Sequence, residues 1–212
     1  MAKKKILYHS NGAKAFTGFG KNAKNILRYL HKTGKYELIE FANGMQWGDA
    51  SLQLRPWKAQ GTLPNNPAVL QEINKNPDQV RAAGYGSATI DAAIKEYKPD
   101  IYLGVEDIWA FGDFWKKPWW DKINHMIWTT LDSQPILPQA IEAAPKTKHF
   151  YVWASFAERD LKKLGHDHVG TLHGTIDTDD FYPIDKNRKK ELRKEFNLSD
   201  DFIVGHLLLR EI

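Results

Sequence analysis

Four polar stretches, each following a short apolar run, are where this sequence could do chemistry: Ser10-Asn11-Gly12, Glu106-Asp107, Asp132-Ser133-Gln134-Pro135 and His173-Gly174-Thr175-Ile176-Asp177. A carboxylate held beside a substrate hydroxyl can take its proton. Glu106, Asp107 and Asp132 are candidates for that role, and each equally suits a turn or a helix cap. His173 has the chemistry of a base or a phosphate donor, although a histidine at a strand end is more often structural. Downstream of Asn11, the run Thr17-Gly18-Phe19-Gly20-Lys21 carries glycines that let a backbone approach a ligand, and the helix after it favours an anion at its N-terminus. Its spacing is not the G-x-G-x-x-G of dinucleotide sites, and no acidic residue closes the second strand as that fingerprint requires. A plain turn is the competing reading.

Tryptophan is dense. Trp109, Trp115, Trp119, Trp120 and Trp128 fall close together, with Trp47 and Trp57 further upstream. Indole faces stack on sugar rings and nucleobases, and they also fill cores. Trp128 sits inside an apolar run and reads as core. Trp115, Trp119 and Trp120, interleaved with Lys116 and Lys117, are candidates for a binding or interface role as well as for packing. His166-Asp167-His168 resembles a metal motif only superficially, because alternate residues of an extended segment point to opposite faces. With no cysteine in the chain, disulfides, thiolate metal sites and cysteine nucleophiles are excluded.

These groups need elements to hold them. Lys5–His9 is short, apolar and bounded by turn residues, which predicts a strand. Ala23, Ile26, Leu27 and Leu30 recur at helical spacing within Lys21–Lys32, and Tyr36–Phe41 is a second strand, completing a βαβ unit. Asn43–Pro67 reads as irregular, punctuated by glycine and proline, and long enough to carry a function or to cover a sheet edge. A helix from about Ser87 to Tyr97 leads to the buried strand Ile101–Val105. Further strands are expected at His125–Thr130, His149–Trp153 and Val169–His173. Ser155 with Glu158 reads as a capping box opening the helix Phe156–Leu164. A charged helix follows at Asp185–Phe196, then a last apolar run, Phe202–Leu209. Strands and helices alternate without a hairpin signal, so the expected fold is α/β: a Rossmann-like, mostly parallel sheet with helices on both faces.

The formal charge of +4 is mildly basic and fits scattered surface lysines as well as an acidic partner. No run nears the roughly 18 apolar residues of a membrane span. The basic start, Met1-Ala2-Lys3-Lys4-Lys5, is followed by too little apolar sequence for a signal peptide, so a cytoplasmic location is expected.

Three stretches resemble the retaining glycosyltransferases of family 4, which have the two-domain GT-B fold. They are Thr17-Gly18-Phe19-Gly20-Lys21-Asn22-Ala23; Trp128 to Pro135; and Val152 to Gly165 continued by His173-Gly174-Thr175-Ile176-Asp177-Thr178 and Phe181-Tyr182-Pro183. The resemblance implies a transferase that moves a sugar from a sugar nucleotide to a glycan or other acceptor hydroxyl, without a metal or other cofactor. It implies an acceptor-side domain over residues 1–183, then a linker helix and the first strand of an incomplete donor-binding domain over 184–212. Gly18, Phe19, Gly20 and Lys21 would lie by the donor phosphates. Asp132 and Glu106 would lie near the cleft, with Asn11, Asp107, His173, Gly174 and Asp177. The donor half's basic pair and Glu-x₇-Glu segment do not occur before Ile212. The chain is therefore expected to be inactive alone or to need a second polypeptide. A non-catalytic module that binds glycan or protein on the same fold is the alternative, and a nucleic-acid acceptor is a third reading.

Overall fold

The computed structural model describes residues 3–198. The described chain divides after Ile176. The first unit is built on seven strands: β1 (Lys4–Asn11), β2 (Tyr36–Gln46), β3 (Lys58–Leu63), β4 (Ile101–Val105), β5 (Asn124–Thr129), β6 (His149–Val152) and β7 (Gly170–Thr171). They form one sheet in the order 3-2-1-4-5-6-7, and all six pairings are parallel. The expected α/β, Rossmann-like sheet is therefore present.

Parallel strands must be joined by crossovers, and these cover both faces. Helix α1 (Gly18–Lys32) packs on one face, where Ala23 and Leu27 meet Ile6, Tyr8, Leu38, Val105 and Trp128. The other face carries the larger core. There Leu7, Ile39, Phe41, Tyr102, Ile127 and Phe150 meet α4 (Ile90–Tyr97), α5 (Pro138–Ala143), α6 (Ser155–Lys163) and the tight 3₁₀ turns at 108–116 and 120–122. Helices α2 (Pro67–Ile73) and α3 (Pro77–Gly84) complete the β3–β4 crossover. The second unit contains, among its described residues, α7 (Lys186–Glu195), capped by Asp185 through the amides of Asn187 and Arg188. The expected strand Phe202–Leu209 lies outside the described residues. Among those residues no helix is long and apolar enough to cross a membrane.

Several local expectations are corrected. The segment read as irregular holds the end of β2 and the edge strand β3. Its inward positions are polar: Gln60 accepts from the Gly48 amide, and the Thr62 hydroxyl bonds the Gly84 carbonyl, so no apolar alternation marks the strand. Helices α2 and α3 bury no residue and only Ala83, respectively, which removes the periodicity that would announce them. Ser155 is the first residue of α6 rather than its cap. Ala154 holds the cap position, and Glu158 bonds Thr171 and Lys162.

Helix α1 begins at Gly18, so Gly18, Phe19, Gly20 and Lys21 form its first turn rather than a loop before it. Thr17 is the cap, its hydroxyl accepting from the Gly20 amide at 3.0 Å and from Asn11 Nδ2 at 2.9 Å. A Cβ on Gly20 would lie 2.3 Å from the Ala15 carbonyl oxygen, whereas one on Gly18 would meet nothing within 4 Å. Gly20→Ala is expected to cost about 1–3 kcal/mol through forced displacement of the 12–17 segment. Gly18→Ala is expected to be neutral or to stabilise by up to about 1 kcal/mol. Urea unfolding of the two variants checks the contrast.

Candidate functional site

In an open parallel sheet, ligands gather beyond the carboxyl ends of the strands, at the point where strand order reverses. Here that point lies between β1 and β4, with β1 ending at Asn11 and Glu106 following β4 directly. A hydrogen-bonded row runs under it. Tyr102 Oη lies 2.8 Å from His9 Nδ1, His9 Nε2 lies 2.8 Å from Asn43 Oδ1, and Asn43 Nδ2 lies 2.8 Å from Glu106 Oε2.

The Asn43 carbonyl oxygen only accepts, so His9 carries its proton on Nε2 and accepts a hydrogen bond from the Tyr102 hydroxyl at Nδ1. Every donor therefore points towards Glu106. His9 is 1% exposed and lies among the rings of Phe41, Tyr102, Phe111 and Phe114. Burial lowers its pKa to about 4, keeping the ring neutral and the direction of the row unchanged at ordinary pH. Burial also raises the Glu106 carboxyl to about 7; the Asn43 amide opposes the rise, and the neighbouring Asp107 charge adds to it. A carboxyl with that affinity exchanges its proton at working pH, as an acid–base group must.

Above the row, a cavity of about 260 Å³ is lined by Asn11, Asn43, Gly44, Val80, Arg81, Gly84 and Tyr85. A second depression, of about 470 Å³, shares Arg81 and Tyr85 and adds Ser87, Trp109, Gly112 and Gln139. Trp109 is 40% exposed and meets Tyr85 edge-on at 5.1 Å. Burial, then the charges of Glu106 and Asp107, raise the Tyr85 pKa, which holds its hydroxyl protonated as a donor. A larger cavity of about 770 Å³ lies at the opposite, amino ends of β4, β5 and β6, beside Asp100, Asn124 and Lys148.

Of the residues singled out from sequence, Asn11 lines the smaller cavity, while Glu106, 4% exposed, and Asp107 stand at the end of β4 without lining either depression. Asp107 accepts a hydrogen bond from Thr130. Asp132 is exposed in the loop after β5. His173 lies beyond β7, its Nδ1 donating to the Trp153 carbonyl at 2.8 Å. Gly174 is pressed against the Trp153 ring, where a Cβ would come within 2.5 Å. Thr175 binds Asn22 Oδ1 through both its amide and its hydroxyl. Asp177 opens the second unit, its carboxylate accepting from the Asp179 amide.

The stacking candidates are corrected. Trp115 and Trp120 are buried in the core, Trp120 stacking on His125 and bonding the Lys146 carbonyl. Trp119 is half-buried and tied to Asp91. Within that tryptophan-rich stretch the exposed indole is Trp109. His9, Asn43, Arg81 and Tyr85 were missed: a histidine inside an apolar strand and an asparagine in a loop-like segment carry no motif.

Neither a protein-family model nor a curated protein sequence matches the chain. Among solved structures it is similar to a UDP-GlcNAc 2-epimerase from Methanocaldococcus jannaschii, at 14% identity and a TM-score of 0.43, over 79% of this chain and 44% of that one. This chain thus spans less than half the length of that protein.

The opposed shifts of Glu106 and His9 make a test. Glu106, raised from 4.5 to about 7, contributes stability that is complete below about 4.5 and is lost as pH rises through 7. His9, lowered from 6.5 to about 4, contributes stability that is complete above about 6.5 and is lost as pH falls through 4. Between 4.5 and 6.5 the two slopes oppose, with His125, also lowered by burial, on the side of His9. The Glu106→Gln variant is therefore expected to gain stability with rising pH across that window, while the parent stays comparatively flat. Denaturant midpoints at half-unit pH steps read the difference; parallel profiles would contradict it.

Proposed function

We propose that the first unit is the acceptor-holding half of a cytoplasmic glycosyltransferase that moves a sugar from a sugar nucleotide to a glycan hydroxyl. The observation that carries this reading is the hydrogen-bonded row that ends on the Glu106 carboxyl at the reversal point of the sheet, beside the cavity lined by Asn11, Asn43 and Tyr85. In the proposed reaction, Glu106 takes the acceptor hydroxyl proton as that oxygen bonds to the anomeric carbon and the nucleoside diphosphate leaves. Trp109 and Tyr85 offer the flat and hydrogen-bonding surfaces that pyranose rings use.

The family 4 resemblance of Gly18 to Lys21 supports a donor phosphate near the first turn of α1. There the Gly18 and Phe19 amides are beyond the reach of intrahelical bonding. In the same reading, residues 184–212 lead into a donor-binding domain, supplied by this or a second polypeptide.

A hydroxyl donating to Glu106 binds better when the carboxyl is ionised. Acceptor affinity is therefore expected to rise with pH through about 7, and the Glu106→Gln variant to lose that dependence. Trp109→Ala is expected to weaken glycan binding about tenfold, the loss of one stacking contact. Calorimetric titration with a panel of neutral oligosaccharides measures both. No binding across the panel, or binding indifferent to Trp109 and to pH, would sink the reading.

A further inference from the structure

A groove of about 660 Å³ runs between α1 and the segment leading into β3, and it shares no lining residue with the depressions around Tyr85. Its charged lining consists of five cations, Lys14, Lys21, Lys24, Arg28 and Arg55, with no carboxylate. Lys21, Lys24 and Arg28 are spaced along one flank of α1, as three- and four-residue steps require. Its apolar walls include Phe16, Leu54 and Trp57.

Below the groove sits one buried carboxylate, Glu40. It accepts from the Ala13 amide at 2.7 Å, from Trp57 Nε1 at 2.7 Å and from Arg55 Nε at 3.3 Å. Those bonds fix the positions of the Trp57 indole and the Arg55 guanidinium. The Arg55 side chain is only 6% exposed, and its Nη1 is buried without a hydrogen-bond partner among the described residues. A buried guanidinium donor left unpaired is costly unless something accepts from it. Glu40 offsets the charge of Arg55, and Lys14, Lys21 and Lys24 keep the groove cationic.

Phe16 is 88% exposed and Leu54 74% exposed, so burial in the core does not account for an apolar side chain at either position. Lys21 Nζ stands over the Phe16 ring at 5.7 Å, holding a cation beside an open aromatic face. Cations beneath and apolar rims above complement a ligand with an anionic end and a flat or apolar end. The volume is that of a small-molecule site, and too small for a nucleic-acid duplex.

We propose that this groove binds a small organic phosphate. Its phosphoryl oxygens would be held by Arg55 with Lys14 and Lys24, and its ring or apolar part would lie against Phe16, Leu54 and Trp57. Lys21 also stands in the first turn of α1, where the donor phosphate is proposed, but the groove runs from there along the helix flank to Arg28 and across to Arg55, and the inference does not depend on the proposed sugar transfer.

The test is calorimetric titration of the full chain with phenyl phosphate, inorganic phosphate and phenol. Saturable one-to-one binding of phenyl phosphate is expected, about tenfold tighter than either half-ligand. The Lys14→Gln/Lys24→Gln variant is expected to weaken it about tenfold, and Phe16→Ala several-fold, while Lys95→Gln/Lys122→Gln, which removes the same charge elsewhere, leaves it unchanged. All four positions are exposed in the fold, so the variants should melt as the parent does. Four results would overturn the proposal: no saturable binding; inorganic phosphate binding as tightly as phenyl phosphate; equal loss in both lysine pairs; or binding of a single-stranded oligonucleotide without binding of phenyl phosphate.

Discussion

A polar row buried inside an apolar sheet face is the constraint on which the rest of this structure depends. Tyr102, His9, Asn43 and Glu106 belong to three adjacent strands and the turn after one of them, and each is useful only if the next lies within hydrogen-bonding distance. An unpaired buried donor or acceptor costs on the order of 1–3 kcal/mol, so the row penalises any arrangement that breaks it. A one-residue slip of β2 against β1 would send Asn43 to the opposite face and leave both His9 and Glu106 without their partner. Register and site are thus set by the same bonds.

The aromatic cage around His9 follows from that row. Phe41, Phe111 and Phe114 exclude water from the imidazole, which keeps it neutral and its tautomer single. A charged His9 would have to donate from both nitrogens, reversing the bond to Tyr102. The tryptophan-rich stretch after β4 supplies this packing on its inner side through Phe111 and Phe114, with Trp120 behind them against Tyr102, and it presents Trp109 outward beside Tyr85. One segment therefore both insulates the row and furnishes the surface above it.

The architecture was legible because its signals are local. Apolar runs such as Ile101–Val105, the helical spacing of Ala23, Ile26, Leu27 and Leu30, and the absence of hairpin turns suffice for a parallel α/β sheet. Strand β3 escaped because Gln60 and Thr62 bury polar groups satisfied by distant backbone, and no local pattern records partners 12 and 22 residues away. The site was half legible. Glu106 stood out as a carboxylate at a strand end, yet its partners come from β1, β2 and β4, and only the folded register brings them together. Among the tryptophans, composition marked the right stretch without separating Trp109 from Trp115 and Trp120. That separation depends on which side of a tight turn faces the core. Arg55 and Glu40 likewise lie fifteen residues apart with nothing in their spacing to join them.

The account rests on burial raising the Glu106 carboxyl to about 7 against the opposing pull of its bond from Asn43. A direct measurement follows the Glu106 side-chain carboxyl carbon by NMR across a pH titration, assigned by comparison with the Glu106→Gln variant. A midpoint near 7 that shifts when Asn43 is replaced by Ala is the predicted result. A midpoint at the ordinary glutamate value near 4.5, indifferent to Asn43, would contradict it.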